Sequence, residues 1–251
     1  MTQAQTRFTT QGLVIKEMIV GESDRLVTLF TREFGVIKAF ASGAKSIKSK
    51  KGSATSLLTY SSFTILRKKE SLRIYEATPI TTFFEMGTDV LALSLAQYFC
   101  ELASEFSVEG TSDDELFRLI LNSLHFLTKE KRDPFLIKTI TELRAAVISG
   151  YSPNLIACEE CGAFEEDIMY FNIEEGSITC KNCHHSGGCV AIDRTMLSAL
   201  RHIVYSEFKN LYSFNIPENS AKLMSELTGK YITVQTEHKF STLEFFNSIK
   251  E

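Results

Sequence analysis

Residues 158–183 read CEECGAFEEDIMYFNIEEGSITCKNC, and the rest of the chain is parsed outward from this stretch. Cys158 and Cys161 bracket one pair of residues, positions 162–179 intervene, and Cys180 and Cys183 bracket a second pair. Two residues between thiols let one tight turn aim both at a single ion, and two such turns supply the four corners of a tetrahedron. Between the pairs, Met169, Tyr170, Phe171, Ile173 and Ile178 around Glu174-Glu175-Gly176 predict a hairpin over Phe164–Thr179. The pattern reads as a zinc ribbon holding one structural Zn2+, because four thiolates close the coordination sphere and leave no position for water or substrate.

Other uses of these thiols fare worse. The N-terminal stretch shows no basic start followed by an apolar block, so no secretory context favours disulfides. A redox dithiol calls for a single Cys-x-x-Cys near a βαβ unit, and neither condition is met. A four-thiolate iron–sulfur cluster stays open, although paired knuckles on a hairpin favour zinc. His184, His185 and Cys189 lie close enough to replace a ligand, and Cys100 reads as a small core residue.

Upstream, the segment 1–80 reads as strands at Gly12–Val20, Asp24–Thr31, Val36–Ala41, Leu58–Leu66 and Leu72–Thr78. Five short strands with no long helix between them predict a small barrel. Ser42–Ser56, with Gly43, Lys45, Lys48, Lys50, Lys51 and Gly52, is expected to be a mobile basic loop. After Pro79 the period changes to three and four, through Leu91, Leu95, Tyr98, Leu102 and Phe106. Ser112-Asp113-Asp114-Glu115 and Asp133-Pro134 announce two further helices, and apolar-periodic stretches return at Asp193–Phe208 and Pro217–Tyr231. The expectation is a barrel followed by a helical bundle that contains the cysteine module.

Charge divides along the same line. Positions 1–80 hold 13 Lys and Arg against six acids, a net of +7, which leaves −11 for positions 81–251 of a chain whose total is −4. A basic barrel concentrates phosphate and gains entropy by releasing its counterions, so the first domain is expected to meet nucleic acid. Candidate contacts are Arg25, Lys38, Lys45, Lys48, Lys50, Lys51, Arg67, Lys68, Lys69 and Arg73, with Phe40, Tyr60, Phe63 and Tyr75 as candidate stacking residues. The ribbon itself is acidic, with seven carboxylates against Lys181, and is a poor phosphate binder.

Several classes of function drop out. There is no Walker loop, dinucleotide fingerprint or Gly-x-Ser-x-Gly elbow, and no convergent carboxylate set, so a binding protein is expected rather than an enzyme. The apolar run Val90–Phe99 is broken by Ser94 and Gln97 and falls short of a membrane span, so the expected location is cytoplasmic.

The chain resembles the bacterial RecO family of recombination mediators and DNA repair proteins. The match begins with Gly21-Glu22-Ser23-Asp24-Arg25, leads through Val27, Phe30 and Thr31 to Gly35, and continues at Ala41-Ser42-Gly43-Ala44-Lys45. It resumes at Glu142-Leu143, Gly150-Tyr151-Ser152-Pro153-Asn154-Leu155 and Cys158-Glu159-Glu160-Cys161-Gly162, ending at the second knuckle. The Lys45–Lys51 loop and the His184-His185…Cys189 tail depart from the family pattern.

The resemblance implies an α+β multidomain chain. An OB-fold DNA-binding domain would occupy residues 1–80, a helical domain 81–154 and 191–251, and an inserted zinc module 155–190. It implies binding of single- and double-stranded DNA, annealing of complementary strands, and help in loading RecA onto DNA coated by single-stranded-DNA-binding protein. The implied partners are RecR, the C-terminal tail of that coating protein, and RecF and RecA less directly, with no membrane. The alternative from the residues alone is a zinc-ribbon regulator associated with transcription.

Overall fold

The computed structural model describes residues 6–46, 49, 51–69, 71–84, 89–184 and 187–250. By packing, the chain divides into two compact units, Met1–Glu130 with Phe245–Glu251, and Lys131–Glu244.

The first unit opens with five strands: β1 (Thr6–Val20), β2 (Asp24–Thr31), β3 (Gly35–Ala41), β4 (Thr59–Lys68) and β5 (Ser71–Thr82). They close a barrel in the order β1-β2-β3-β5-β4, the arrangement of an OB-fold. The length of β1 makes closure possible. Its first half pairs with β4 and its second with β2, and the register shifts between Val14 and Lys16 as the strand bends. Alternation of side chains does the rest. Ile37, Ala39 and Ala41 point inward from β3 and Phe63 and Ile65 from β4, joining Val14, Val27, Leu29 and Ile74 in one buried core. Phe63 is therefore core rather than a stacking residue.

The loop after β3 corrects the expectation of a uniformly mobile segment. Ser53–Thr55 form a 3-10 turn, and Ala44, Ala54 and Thr55 are buried against the barrel. The reason is size, since small side chains let the backbone plug the barrel end while Ser61 Oγ donates to the Ala54 carbonyl at 2.9 Å. Lys48 and Lys50 lie outside the described residues.

Two helices complete this unit, α1 (Val90–Phe106) and α2 (Asp114–Thr128), started by Asp89 and Asp113 side chains that accept from backbone N–H groups. Gly35, at φ +61°, sits where a Cβ would come within 2.3 Å of the Val108 carbonyl, so the β2–β3 turn packs directly on the α1–α2 connection. Phe117 of α2 meets Phe30 and Tyr60 edge-on, at 5.2 and 6.1 Å between ring centres.

The second unit holds α3 (Pro134–Ile148), a three-stranded sheet of β6 (Ile168–Asn172), β7 (Ser177–Cys180) and β8 (Cys189–Asp193), then α4 (Arg194–Tyr205) and α5 (Glu218–Thr236). A last helix, α6 (Ser241–Ile249), follows them. The hairpin expected between the knuckles is β6–β7. β8, on the other side of β6, was not expected, because Cys189–Asp193 shows too short an alternation to read as a strand. Between α3 and α5 lies a buried ion pair: Lys138 Nζ reaches Glu142 Oε2 at 2.8 Å and the Ser225 carbonyl at 2.6 Å. Thr228 Oγ1 donates to the same carboxylate oxygen at 2.6 Å, so both charges are met by partners inside the helix interface. Among the described residues no helix is long and apolar enough to cross a membrane.

Candidate nucleic-acid interface and metal centre

Strand register brings residues distant in sequence into rows on the outside of the barrel. Met18 of β1 pairs with Leu26 of β2, Leu26 with Phe40 of β3, and Phe40 with Arg73 of β5. The row continues through Leu66 of β4 to Arg7 of β1. Directly paired residues share a face, and Met18 and Phe40 remain 52% and 40% exposed, so this face presents apolar surface to solvent. One step along, Lys16 pairs with Thr28 and Thr28 with Lys38. The two lysines, both exposed, flank the row two strand spacings apart, about 10 Å.

The expected basic residues are distributed unequally around this face. Lys38 and Arg73 belong to it. Arg67, Lys68 and Lys69 are exposed at the β4–β5 hairpin, where the Arg67 guanidinium lies 5.8 Å from the centre of the Phe8 ring. Lys45 is exposed beyond β3. Lys51 is half-buried, its Nζ donating to the Ile74 carbonyl at 3.2 Å. Arg25 is turned to structural use: its Nη1 donates to the Gly52 carbonyl at 2.9 Å and reaches Thr55 and Ser56, pinning the loop that plugs the barrel. Tyr75 is half exposed, with the Arg7 guanidinium 4.7 Å from the centre of its ring. Lys16 and Met18 were not among the expected contacts, although they lie on this same face. Only the β1–β2–β3 register marks them, and they carry no motif.

In the second unit the four cysteines converge. The sulfur atoms of Cys158, Cys161, Cys180 and Cys183 all lie within 4.8 Å of one another, and Cys161 and Cys180 are 3.7 Å apart. A tetrahedral ion with sulfur ligands at about 2.3 Å places them about 3.8 Å apart, so the donor set fits a metal of zinc's size. Each knuckle is a tight turn: Gly162 N donates to the Cys158 carbonyl at 2.9 Å, and Cys183 N to the Cys180 carbonyl at 3.1 Å. Burial of Cys158 opposes its ionisation, but N–H groups of Cys161, Cys180 and Glu160 aimed at its sulfur prevail and lower its pKa to about 6. Cys183 is pushed up, because its thiol donates hydrogen bonds to the neighbouring Cys161 and Cys180 sulfurs and its protonated form is thereby favoured.

Cys189 stands outside this group, and the His184 ring is stacked on Tyr170 at 3.8 Å. His185 lies outside the described residues. Cys100 is buried in α1, and burial pushes its thiol up to about 12.

Comparison with known proteins fits both halves. The family model described as Recombination protein O N terminal matches residues 3–83, and that described as Recombination protein O C terminal matches residues 87–244. The chain belongs to the RecO family. It is 31% identical over 241 residues to the DNA repair protein RecO of Acetivibrio thermocellus, covering 96% of each chain. It is 26% identical to that of Alkaliphilus metalliredigens, over 96% of this chain and 98% of the relative. With that of Desulfitobacterium hafniense (strain DSM 10664 / DCB-2) it shares 30%, over 91% and 84%. In RecO terms, the N-terminal match takes in the barrel, and the C-terminal match takes in α1 to α5 with the cysteine sheet.

Proposed function

We propose that this RecO-family protein is a recombination mediator that binds single- and double-stranded DNA on the outer face of its barrel and anneals complementary strands without covalent chemistry. The row Met18–Leu26–Phe40–Arg73, flanked by Lys16 and Lys38, carries the reading. Lys16, Lys38 and Arg73 neutralise phosphates and release counterions, which lowers the repulsion between two strands. Met18 and Phe40 offer bases an apolar surface to lie against, as sheet faces of this barrel type do. Bases held by their flat faces keep their pairing edges free, so a second strand can be matched to the first.

In this reading, RecR and the C-terminal tail of single-stranded-DNA-binding protein are protein partners, RecF and RecA act at one remove, and the protein works in the cytoplasm at the nucleoid. No catalytic centre is assigned, and the four cysteines hold one structural zinc. That assignment is supported by the fit of the sulfur positions to a tetrahedron. When bound, the ion contributes rigidity to the two knuckles and no chemistry.

The test is pairing of two complementary oligonucleotides, bare and coated with the cognate single-stranded-DNA-binding protein, without ATP. Faster pairing in both settings is expected. The salt dependence of single-strand binding should flatten by about 0.7 for each lysine–phosphate pairing removed in the Lys16→Glu and Lys38→Glu variants. An unchanged slope removes the barrel face from the DNA interface. Tight binding without annealing turns the reading towards a regulator.

A further inference from the structure

One arginine outside the ligand set grips the first knuckle from both ends. Arg201, on α4, donates from Nε to the Leu155 carbonyl at 2.7 Å and from Nη2 to the Ile156 carbonyl at 2.8 Å. The same Nη2 donates to the Phe164 carbonyl at 2.5 Å, and the guanidinium lies 4.1 Å from the centre of the Phe164 ring. Leu155 and Ile156 precede Cys158, and Phe164 follows Cys161, so one planar cation ties together the two strands of chain that enter and leave the knuckle. Beside it, the Tyr205 hydroxyl of α4 accepts from Leu155 N at 3.0 Å. Within the loop, Cys158 N donates to the Ala163 carbonyl at 2.8 Å, which closes the turn that Arg201 frames.

We infer that Arg201 is a positioning residue for the metal centre, holding the Cys158–Cys161 knuckle in its ligating shape from α4. Three carbonyl acceptors divided between Nε and Nη2 suit the rigid, planar guanidinium fork, whereas a lysine ammonium offers its donors from a single point on a flexible stem. The entropy of ordering the 156–164 loop is then met largely in folding, and less remains to be met when the ion arrives. The role rests on the four-cysteine metal centre and goes beyond it, because Arg201 acts on backbone carbonyls and belongs to no ligand pair.

The experiment uses the full chain, wild type and the variants Arg201→Met, Arg201→Lys and Arg144→Lys, each loaded with zinc and titrated against a chromophoric chelator of known affinity. Arg144 is the control for helix damage alone: its Nη1 donates to the Val204 carbonyl, near the C-terminus of α4, at 3.0 Å. Arg201→Met and Arg201→Lys are expected to bind zinc about 10–100-fold more weakly, the usual cost of losing an outer-shell partner. At saturating cobalt they should retain the thiolate charge-transfer band of four sulfur ligands. Arg144→Lys should melt earlier and keep wild-type affinity. If Arg201→Met does not fold, Arg201→Lys still gives the reading, because it keeps the charge and most of the aliphatic stem. Zinc affinity within about twofold of wild type in the Arg201 variants overturns the role alone, since an outer-shell partner is worth more than that. A wild-type chain that takes up neither zinc nor cobalt overturns both the role and the metal centre.

Discussion

The barrel of β1–β5 and the sheet of β6–β8 are both small β structures, and they reach order by opposite routes. The barrel wraps around its own core, from Val14 and Leu29 through Phe63 to Ala77, so its outer face is left for other uses. The sheet has one apolar face, which it gives up to the helices beside it: Phe171 meets Tyr231 of α5 edge-on at 5.5 Å, with Met169, Ile178 and Ile192 buried around it. At its knuckle end four thiols converge. A fold segment too short to enclose apolar surface needs a covalent or metal staple, whereas a closed barrel does not. Charge follows the same division: the barrel keeps a solvent face of lysine, methionine and phenylalanine, and the four-cysteine ribbon carries carboxylates.

The hardest strike against this contrast is Cys158→Ser. Structural zinc in small modules contributes about 10–16 kcal/mol of apparent binding free energy at neutral pH, so loss of one thiolate should empty the site and loosen the knuckles. Zinc content by atomic absorption is expected to fall from one per chain to near zero, while binding to DNA through the barrel persists. Full zinc stoichiometry in this variant would show that the ligand set is wrong.

Damage to the other side should behave in reverse. Phe63→Ala opens a cavity in the barrel core and is expected to cost about 3–5 kcal/mol, read by urea unfolding, with zinc content unchanged. A variant that lost zinc as well would mean the two regions are not separately ordered. Phe40→Ala is milder, since the ring stands on the outer face. It should weaken single-strand binding by about 1–3 kcal/mol and leave duplex binding and urea stability near wild type. An equal loss on duplex would reduce the barrel face to a charge effect.

Much of this was legible from local pattern. Asp113 and Asp133 cap α2 and α3 as their positions suggested, because a cap needs only its own helix. The cysteine spacing anticipated the cluster for the same reason, since each pair belongs to one turn. Lys138 and Glu142 were not legible as buried, for they sit four apart on α3 in a way that equally describes a solvated ion pair. Only the approach of Ser225 and Thr228 on α5 takes them out of water. Arg25 was misleading in the same manner, because its charge suggested phosphate and its geometry serves Gly52.

By itself, then, the sequence determined the five barrel strands, the β6–β7 hairpin and most of the helices, the basic character of the segment 1–80 and the four thiols, all of which depend on neighbours within a turn or a strand. Tertiary structure decided that Met18, Leu26, Phe40 and Arg73 form one row, that α1 and α2 pack in the unit of the barrel, and that Arg201 reaches the first knuckle. These follow from strand register and helix placement, which closure of the barrel and burial of the helix faces set over separations that periodicity does not span.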